Sequence, residues 1–177
     1  RNSVEAPRRP LTAIVGGAKV SSKLATLENL LNHVDTLIIG GAMANTFLKS
    51  QGMDMERSLV EVDLVATAGA ILNKARARKV QCLLPVDLVV ASSFDKDADK
   101  KTVAVDKIPP DWMAMDIGPD TIALFSRAIE SSGTIVWNGP MGVFEMEAFC
   151  DGTCGVARAV ALSQAFSVVG GGDTRLA

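Results

Sequence analysis

This chain lacks the features that would place it in several common functional classes. It has three cysteines and no C-x-x-C pair, so neither a disulfide framework nor a zinc ribbon is expected. Cys150 and Cys154 are four apart and would share a helix face, where packing is expected rather than metal binding. The single histidine, His33, follows a helical stretch far upstream, is expected to be exposed, and is given no catalytic role. Basic residues are not in excess. With 18 Lys and Arg against 20 Asp and Glu, the formal net charge of −2 argues against nucleic acid or an acidic membrane as partner. Each apolar run is interrupted by glycine, proline or charge before it reaches a transmembrane length. No G-x-x-x-x-G-K-[ST] occurs, which excludes a P-loop NTPase, and no G-x-G-x-x-G supports a dinucleotide dehydrogenase. Arg1 is no start methionine and no signal-peptide core follows it, so the chain is expected to begin partway through a longer protein.

What is present is an alternation. Hydrophobic residues make up 48% of 177 residues and charged ones 21%, enough for a substantial core. A mean hydropathy of +0.25 suits strands that are apolar on both faces. Strand-like runs at 11–15, 36–39, 80–84, 88–91, 113–115, 134–137 and 165–169 alternate with helical patterns at 20–32, 42–49, 59–78, 121–131 and 147–164. Residues 92–111, with alternating Asp and Lys and then Pro109-Pro110, read as an exposed excursion. The rhythm predicts an α/β fold: a doubly wound, Rossmann-like parallel sheet with helices on both faces, in three layers.

Four strands end in glycine or small polar residues: Gly16-Gly17, Gly40-Gly41, Asn138-Gly-Pro140 and Gly170-Gly-Gly172. In such sheets ligands bind outside the carboxyl ends of the strands, so these corners point to a long phosphate-bearing ligand lying across one edge. Gly170-Gly-Gly-Asp-Thr174 reads as a backbone anion nest with an acid beside it, a pairing that calls for a bridging cation such as Mg²⁺. Lys19 and Lys23, read as one face of the helix that follows the first corner, would neutralise phosphate charge. Asp87, after Pro85, reads as structural, and Trp137 as core.

The chain resembles the phosphoglycerate kinase family, specifically its C-terminal nucleotide-binding domain. The matching strings are Arg9-Pro-Leu-Thr-Ala-Ile-Val-Gly-Gly-Ala-Lys-Val-Ser-Ser-Lys23, Leu37-Ile-Ile-Gly-Gly-Ala-Met-Ala-Asn-Thr-Phe47, Leu84-Pro-Val-Asp87, Asp116-Ile-Gly-Pro119, Ile135-Val-Trp-Asn-Gly-Pro-Met-Gly-Val-Phe-Glu145 and Gly170-Gly-Gly-Asp-Thr174. The resemblance implies Mg-ADP or Mg-ATP as co-substrate and reversible transfer of the acyl phosphate of 1,3-bisphosphoglycerate to ADP. It implies that Lys19, Gly171 and Gly172 contact the transferring phosphoryl group, and that Lys23 and Thr174 contact nucleotide phosphates. Gly17, Ala18, Gly41, Ala42 and Ala114 would line the adenine slot. Asn138, Gly139, Pro140, Met141 and Phe144 would form the ribose and base wall, Glu145 would accept the ribose hydroxyls, and Asp173 would be the magnesium-side acid.

Two positions depart from the family pattern. Ala114 stands where many members have glycine, and Arg175 where a small residue opens a helix. Residues 1–10 read as the remnant of an interdomain linker, and 11–177 as a nucleotide-binding domain incomplete at its C-terminal end. 3-Phosphoglycerate or 1,3-bisphosphoglycerate would be bound only by a missing N-terminal domain, so the fragment alone is expected to be inactive. The parent is expected to be a cytoplasmic monomer.

Overall fold

The computed structural model describes residues 8–170. In chain order its elements are β1 (Leu11–Val15), α1 (Leu24–Leu30), β2 (Thr36–Ile39), α2 (Met43–Ser50), α3 (Val65–Ala77), β3 (Gln81–Leu83), β4 (Asp87–Ala91), β5 (Lys100–Ala104), β6 (Met113–Ile117), α4 (Pro119–Glu130), β7 (Thr134–Asn138), α5 (Asp151–Leu162) and β8 (Phe166–Gly170). Short 3-10 turns, Val62–Leu64 and Glu147–Phe149, precede α3 and α5.

Five strands form a parallel sheet in the order β3-β2-β1-β7-β8. The chain winds outward from β1 to β3, then returns to the other side of β1 as β7 and β8. That is the expected doubly wound sheet. Its strands alternate sides, and each side meets its own helices. Ala13, Val15, Leu37 and Ile39 pack with Leu27 of α1, Phe47 of α2 and Ile71 of α3. Ile14, Ile38, Ile135 and Trp137 pack on the opposite face with Phe125 and Ile129 of α4 and Val156 of α5. Trp137 is a core residue, as expected, with its indole N–H donated to Gly139 O at 2.7 Å.

A second sheet was not anticipated. β4, β5 and β6 form an antiparallel unit in the order β5-β4-β6. β5 lies within the stretch read as an exposed excursion, and four of its five residues are indeed exposed. It is an edge strand carrying Lys100 and Lys101, which hides it from a hydrophobic pattern and also blunts the edge. Val103, half-buried, packs towards Leu88 and Val90.

Two helices start later than their apolar period suggests. Val20 is fully buried, yet α1 begins only at Leu24, because side chains compete for the local backbone. Ser22 Oγ donates to Lys19 O at 3.0 Å, and Glu61 Oε1 takes the Ser21 N–H at 3.2 Å. Leu59 O and Glu61 N–H are likewise engaged by Asn45 and Thr46 of α2, so residues 59–61 stay outside α3. At the amino ends of the strands, Arg9 reaches Asp35 at 3.1 Å and His33 O at 2.6 Å. His33 is exposed.

Candidate functional site

The parallel sheet reverses its winding between β1 and β7, and the loops leaving those strands carry the glycines. At such a switch point a crevice opens beyond the strand carboxyl ends. Gly16 N–H donates to Asn138 O at 2.8 Å and Gly17 N–H to Pro140 O at 3.0 Å. Gly41 N–H donates to Met141 O at 3.0 Å, and Met43 N–H, opening α2, to Gly17 O at 2.9 Å. Three loops are laced together by these main-chain bonds. A Cβ on Gly41 would stand 2.5 Å from Gly17 O and 2.8 Å from Pro140 O, and one on Gly139 would overlap Gly16 O. Gly17, Gly41 and Gly139 have φ of 111°, 71° and 97°, conformations that favour glycine. The amides of Gly17 and Gly41 are therefore spent within the protein, and these glycines present backbone surface rather than donors. Met141 is buried under Gly16 and Gly40, and its N–H donates to Thr153 Oγ1 of α5 at 2.9 Å.

The fourth corner leaves from the same edge, since Gly170 pairs with Asn138 across β7 and β8. Gly171, Gly172, Asp173, Thr174 and Arg175 lie outside the described residues.

The two lysines do not share a helix face as the sequence suggests. Lys19 and Ala18 are exposed in the loop after β1, while Lys23 is the residue that precedes α1. Lys23 Nζ hydrogen-bonds Asn138 Oδ1, bridging the loops after β1 and β7. Burial lowers its pKa below the ordinary lysine value. A half-buried ammonium facing a neutral amide is a position that an anion would stabilise. Glu61 sits near Lys19. Burial raises its pKa, but the Ser21 hydroxyl and amide, the Val20 amide and the Lys19 charge together hold it below the ordinary carboxylate value. A hollow of about 430 Å³, lined by Ser21, Glu61, Val62, Asp63 and Leu64, opens beside this loop.

The rest of the predicted wall is less tightly gathered. Ala42 precedes α2, half-buried; Phe144 is half-buried and Glu145 exposed in the segment after β7. Ala114 lies on β6 of the second sheet, its N–H donated to Ser58 Oγ at 2.8 Å, among the apolar side chains around Leu48 and Leu88.

Two buried carboxylates of the second sheet hold the helices behind the edge. Asp87 accepts from Asp120 N–H at 3.0 Å, Thr121 N–H at 2.9 Å and Thr121 Oγ1 at 2.6 Å, capping α4 from a neighbouring strand. Asp116 accepts from Gly152 N–H at 2.8 Å, in the first turn of α5, and from Ile117 N–H at 2.9 Å. Burial pushes Asp116 up to about 7, helped by the Asp151 charge and opposed by those two amides and by Lys100. A cavity of about 410 Å³ lies on this side, lined by Lys100, Thr102, Asp116, Pro119 and Ile122 among others. It is on the second sheet, not at the glycine edge.

A family model described as phosphoglycerate kinase matches residues 1–177. The chain belongs to the phosphoglycerate kinase family. It is 65% identical over 176 residues to the phosphoglycerate kinase of Desulforapulum autotrophicum, across 99% of this chain and 45% of that protein. Against that of Desulfosudis oleivorans it is 58% identical over 172 residues, across 97% of this chain and 43% of that one. The structure of phosphoglycerate kinase from Coxiella burnetii matches with a TM-score of 0.97 at 47% identity, over 99% of this chain and 46% of the other. That from Pyrococcus horikoshii matches at 0.84 and 32%, over 98% and 44%. The chain thus spans less than half the length of these relatives.

In this member of the family the structure brings Gly17, Gly41, Asn138, Gly139, Pro140, Met141 and Lys23 into one constellation. Sequence reading missed Glu61, which orders the Lys19 loop, and Thr153, which fixes Met141. Neither carries a local signal, because each acts across more than ten residues of sequence. Asp116 was visible as part of a matching string, but nothing in that string shows that its carboxylate reaches α5.

Proposed function

We propose that this chain is the nucleotide-binding half of a phosphoglycerate kinase. It binds Mg-ADP or Mg-ATP across the carboxyl edge of the parallel sheet, in an enzyme that moves a phosphoryl group reversibly between 1,3-bisphosphoglycerate and ADP. The observation that carries this reading is the glycine-lined edge at the switch point, with the half-buried Lys23 ammonium beside it. Glycine corners let a nucleotide lie against backbone, and Lys23 supplies charge where phosphates would pass. Lys19 and the Gly171-Gly172 amides are assigned to the phosphoryl group in transfer, where positioning and charge neutralisation do most of the catalysis. Glu145 is assigned to the ribose hydroxyls, and Ala18, Ala42, Ala114 and Phe144 to the base and its surroundings.

The metal fits this arrangement only as a nucleotide-borne ion. Among the described residues no group of three His, Cys, Asp or Glu could hold one. Asp173 with phosphate oxygens and water would complete a Mg²⁺ shell, as suits an ion bound mainly through its substrate, and the ion would supply neutralising charge. The substrate sites for 3-phosphoglycerate and 1,3-bisphosphoglycerate are assigned outside this chain, and the three free thiols fit a reducing cytoplasm.

Titrating ADP into the 177-residue chain by calorimetry, with and without Mg²⁺, tests the reading. Binding strengthened by Mg²⁺ is expected; no heat in either condition would make the chain a structural relative that has lost nucleotide. A coupled assay at high protein concentration is expected to show no turnover, and clear turnover would refute the assignment of substrate binding elsewhere.

A further inference from the structure

A different cluster of nucleophiles lies at the start of α5. Cys150 immediately precedes the helix and Cys154 follows one turn later, its N–H donated to Cys150 O at 2.9 Å. The two side chains stand one helical turn apart, at neighbouring positions of the helix surface. Cys154 is exposed, Cys150 half-buried, and neither is in a disulfide. The third cysteine, Cys82 on β3, is pushed up to about 12 by burial, which leaves its thiol unreactive near neutrality.

We propose that Cys150 and Cys154 form a dithiol site for a soft, thiophilic centre that two sulfurs satisfy, of which a trivalent organic arsenical is the type. Side chains one helical turn apart are neighbours, so a single atom can bridge the two sulfurs. The ligand set selects the class of occupant. Among the described residues no third His, Cys, Asp or Glu completes a metal group here, so four-coordinate zinc lacks its shell. Trivalent arsenic carrying its own organic substituent needs only two sulfurs. In the reaction with a hydrated arsenical, two As–O bonds break and two As–S bonds form. Each thiol proton leaves with a hydroxyl as water, and arsenic stays trivalent.

Burial, the Cys154 thiol and the Asp151 and Asp116 charges keep Cys150 above its ordinary pKa. The same turn holds Thr153, whose hydroxyl accepts the Met141 N–H, so an occupant lies one hydrogen bond from the candidate nucleotide wall.

Phenylarsine oxide added to the intact chain, with the adduct followed by intact-mass spectrometry, tests the site. One arsenical per chain is expected, surviving excess 2-mercaptoethanol and released by dimercaptopropanol. Two tethered thiols should retain it roughly 100-fold better than one. Cys154→Ser and Cys150→Ser should each reduce retention to the single-thiol level, while Cys82→Ser leaves it unchanged. An adduct stripped by the monothiol, or one that persists in either variant, would overturn the proposal. Circular dichroism reports folding, and Cys154→Ser, at an exposed position, decides the matter if Cys150→Ser does not fold.

Discussion

The two sheets build their contributions to the site by opposite means. At the carboxyl edge of the parallel sheet, glycine removes side chains where the backbones meet: Gly16, Gly17, Gly41 and Gly139 let three loops bond through main chain. Beside it, the antiparallel sheet works through buried carboxyl groups, with Asp87 pinning the start of α4 and Asp116 that of α5. A ligand that must approach backbone calls for the first arrangement. Helices that must not shift behind it call for the second, because a carboxylate placed on free helix amides gains both hydrogen bonds and the favourable end of the dipole. The comparison can be tested by removing a carboxylate from one sheet and adding a methyl group to the other.

The largest effect is expected on the carboxylate side. Asp87→Ala strands the Asp120 and Thr121 amides at the start of α4, while the Thr121 hydroxyl keeps the residue 87 carbonyl, and should cost about 3 kcal/mol in urea unfolding. Next is Gly41→Ala, whose Cβ meets backbone atoms of Gly17 and Pro140 at positive φ. About 2–3 kcal/mol and most ADP affinity should be lost, whereas Gly52→Ala, also at positive φ but in open space, should cost only about 1 kcal/mol and spare binding. Equal losses in the two glycine variants would show that close approach at the edge does not matter.

Asp116 gives a pH signature. Its folded pKa, about 7, lies above the ordinary 3.8. The folded state therefore holds a proton that the unfolded state releases, and the stabilisation present below the unfolded pKa is lost as pH rises through 7. From about pH 6 to about pH 8 this group alone should lower stability by roughly 1.4 kcal/mol, and Asp116→Asn should flatten that slope in thermal or urea melts. The smallest effect is on the glycine side. Lys23→Met should weaken ADP about tenfold, leave adenosine affinity unchanged, and shift folding by no more than about 0.5 kcal/mol. An equal loss for adenosine would move Lys23 away from the phosphates.

How much of this was legible follows from the range of each interaction. The parallel strands were readable because Ala13-Ile14-Val15 and Leu37-Ile38-Ile39 are apolar on both faces, and the glycine corners because a close backbone approach tolerates little else. β5 was hidden because an edge strand needs only Val103 turned inward and is free to carry lysines elsewhere. The starts of α1 and α3 were misread because Glu61, Asn45 and Thr46, distant in sequence, take backbone groups that a helix would otherwise use.

By itself, then, the sequence determined the winding of the sheet, the glycine positions and the family, since all of these rest on local periodicity and short strings. Only the tertiary structure decided that Lys23 turns to Asn138, that Gly17 and Gly41 spend their amides on the loop after β7, and that Asp87 and Asp116 hold helix starts more than 30 residues away. Those are contacts between residues more than 30 positions apart, and no local pattern encodes a partner at that distance.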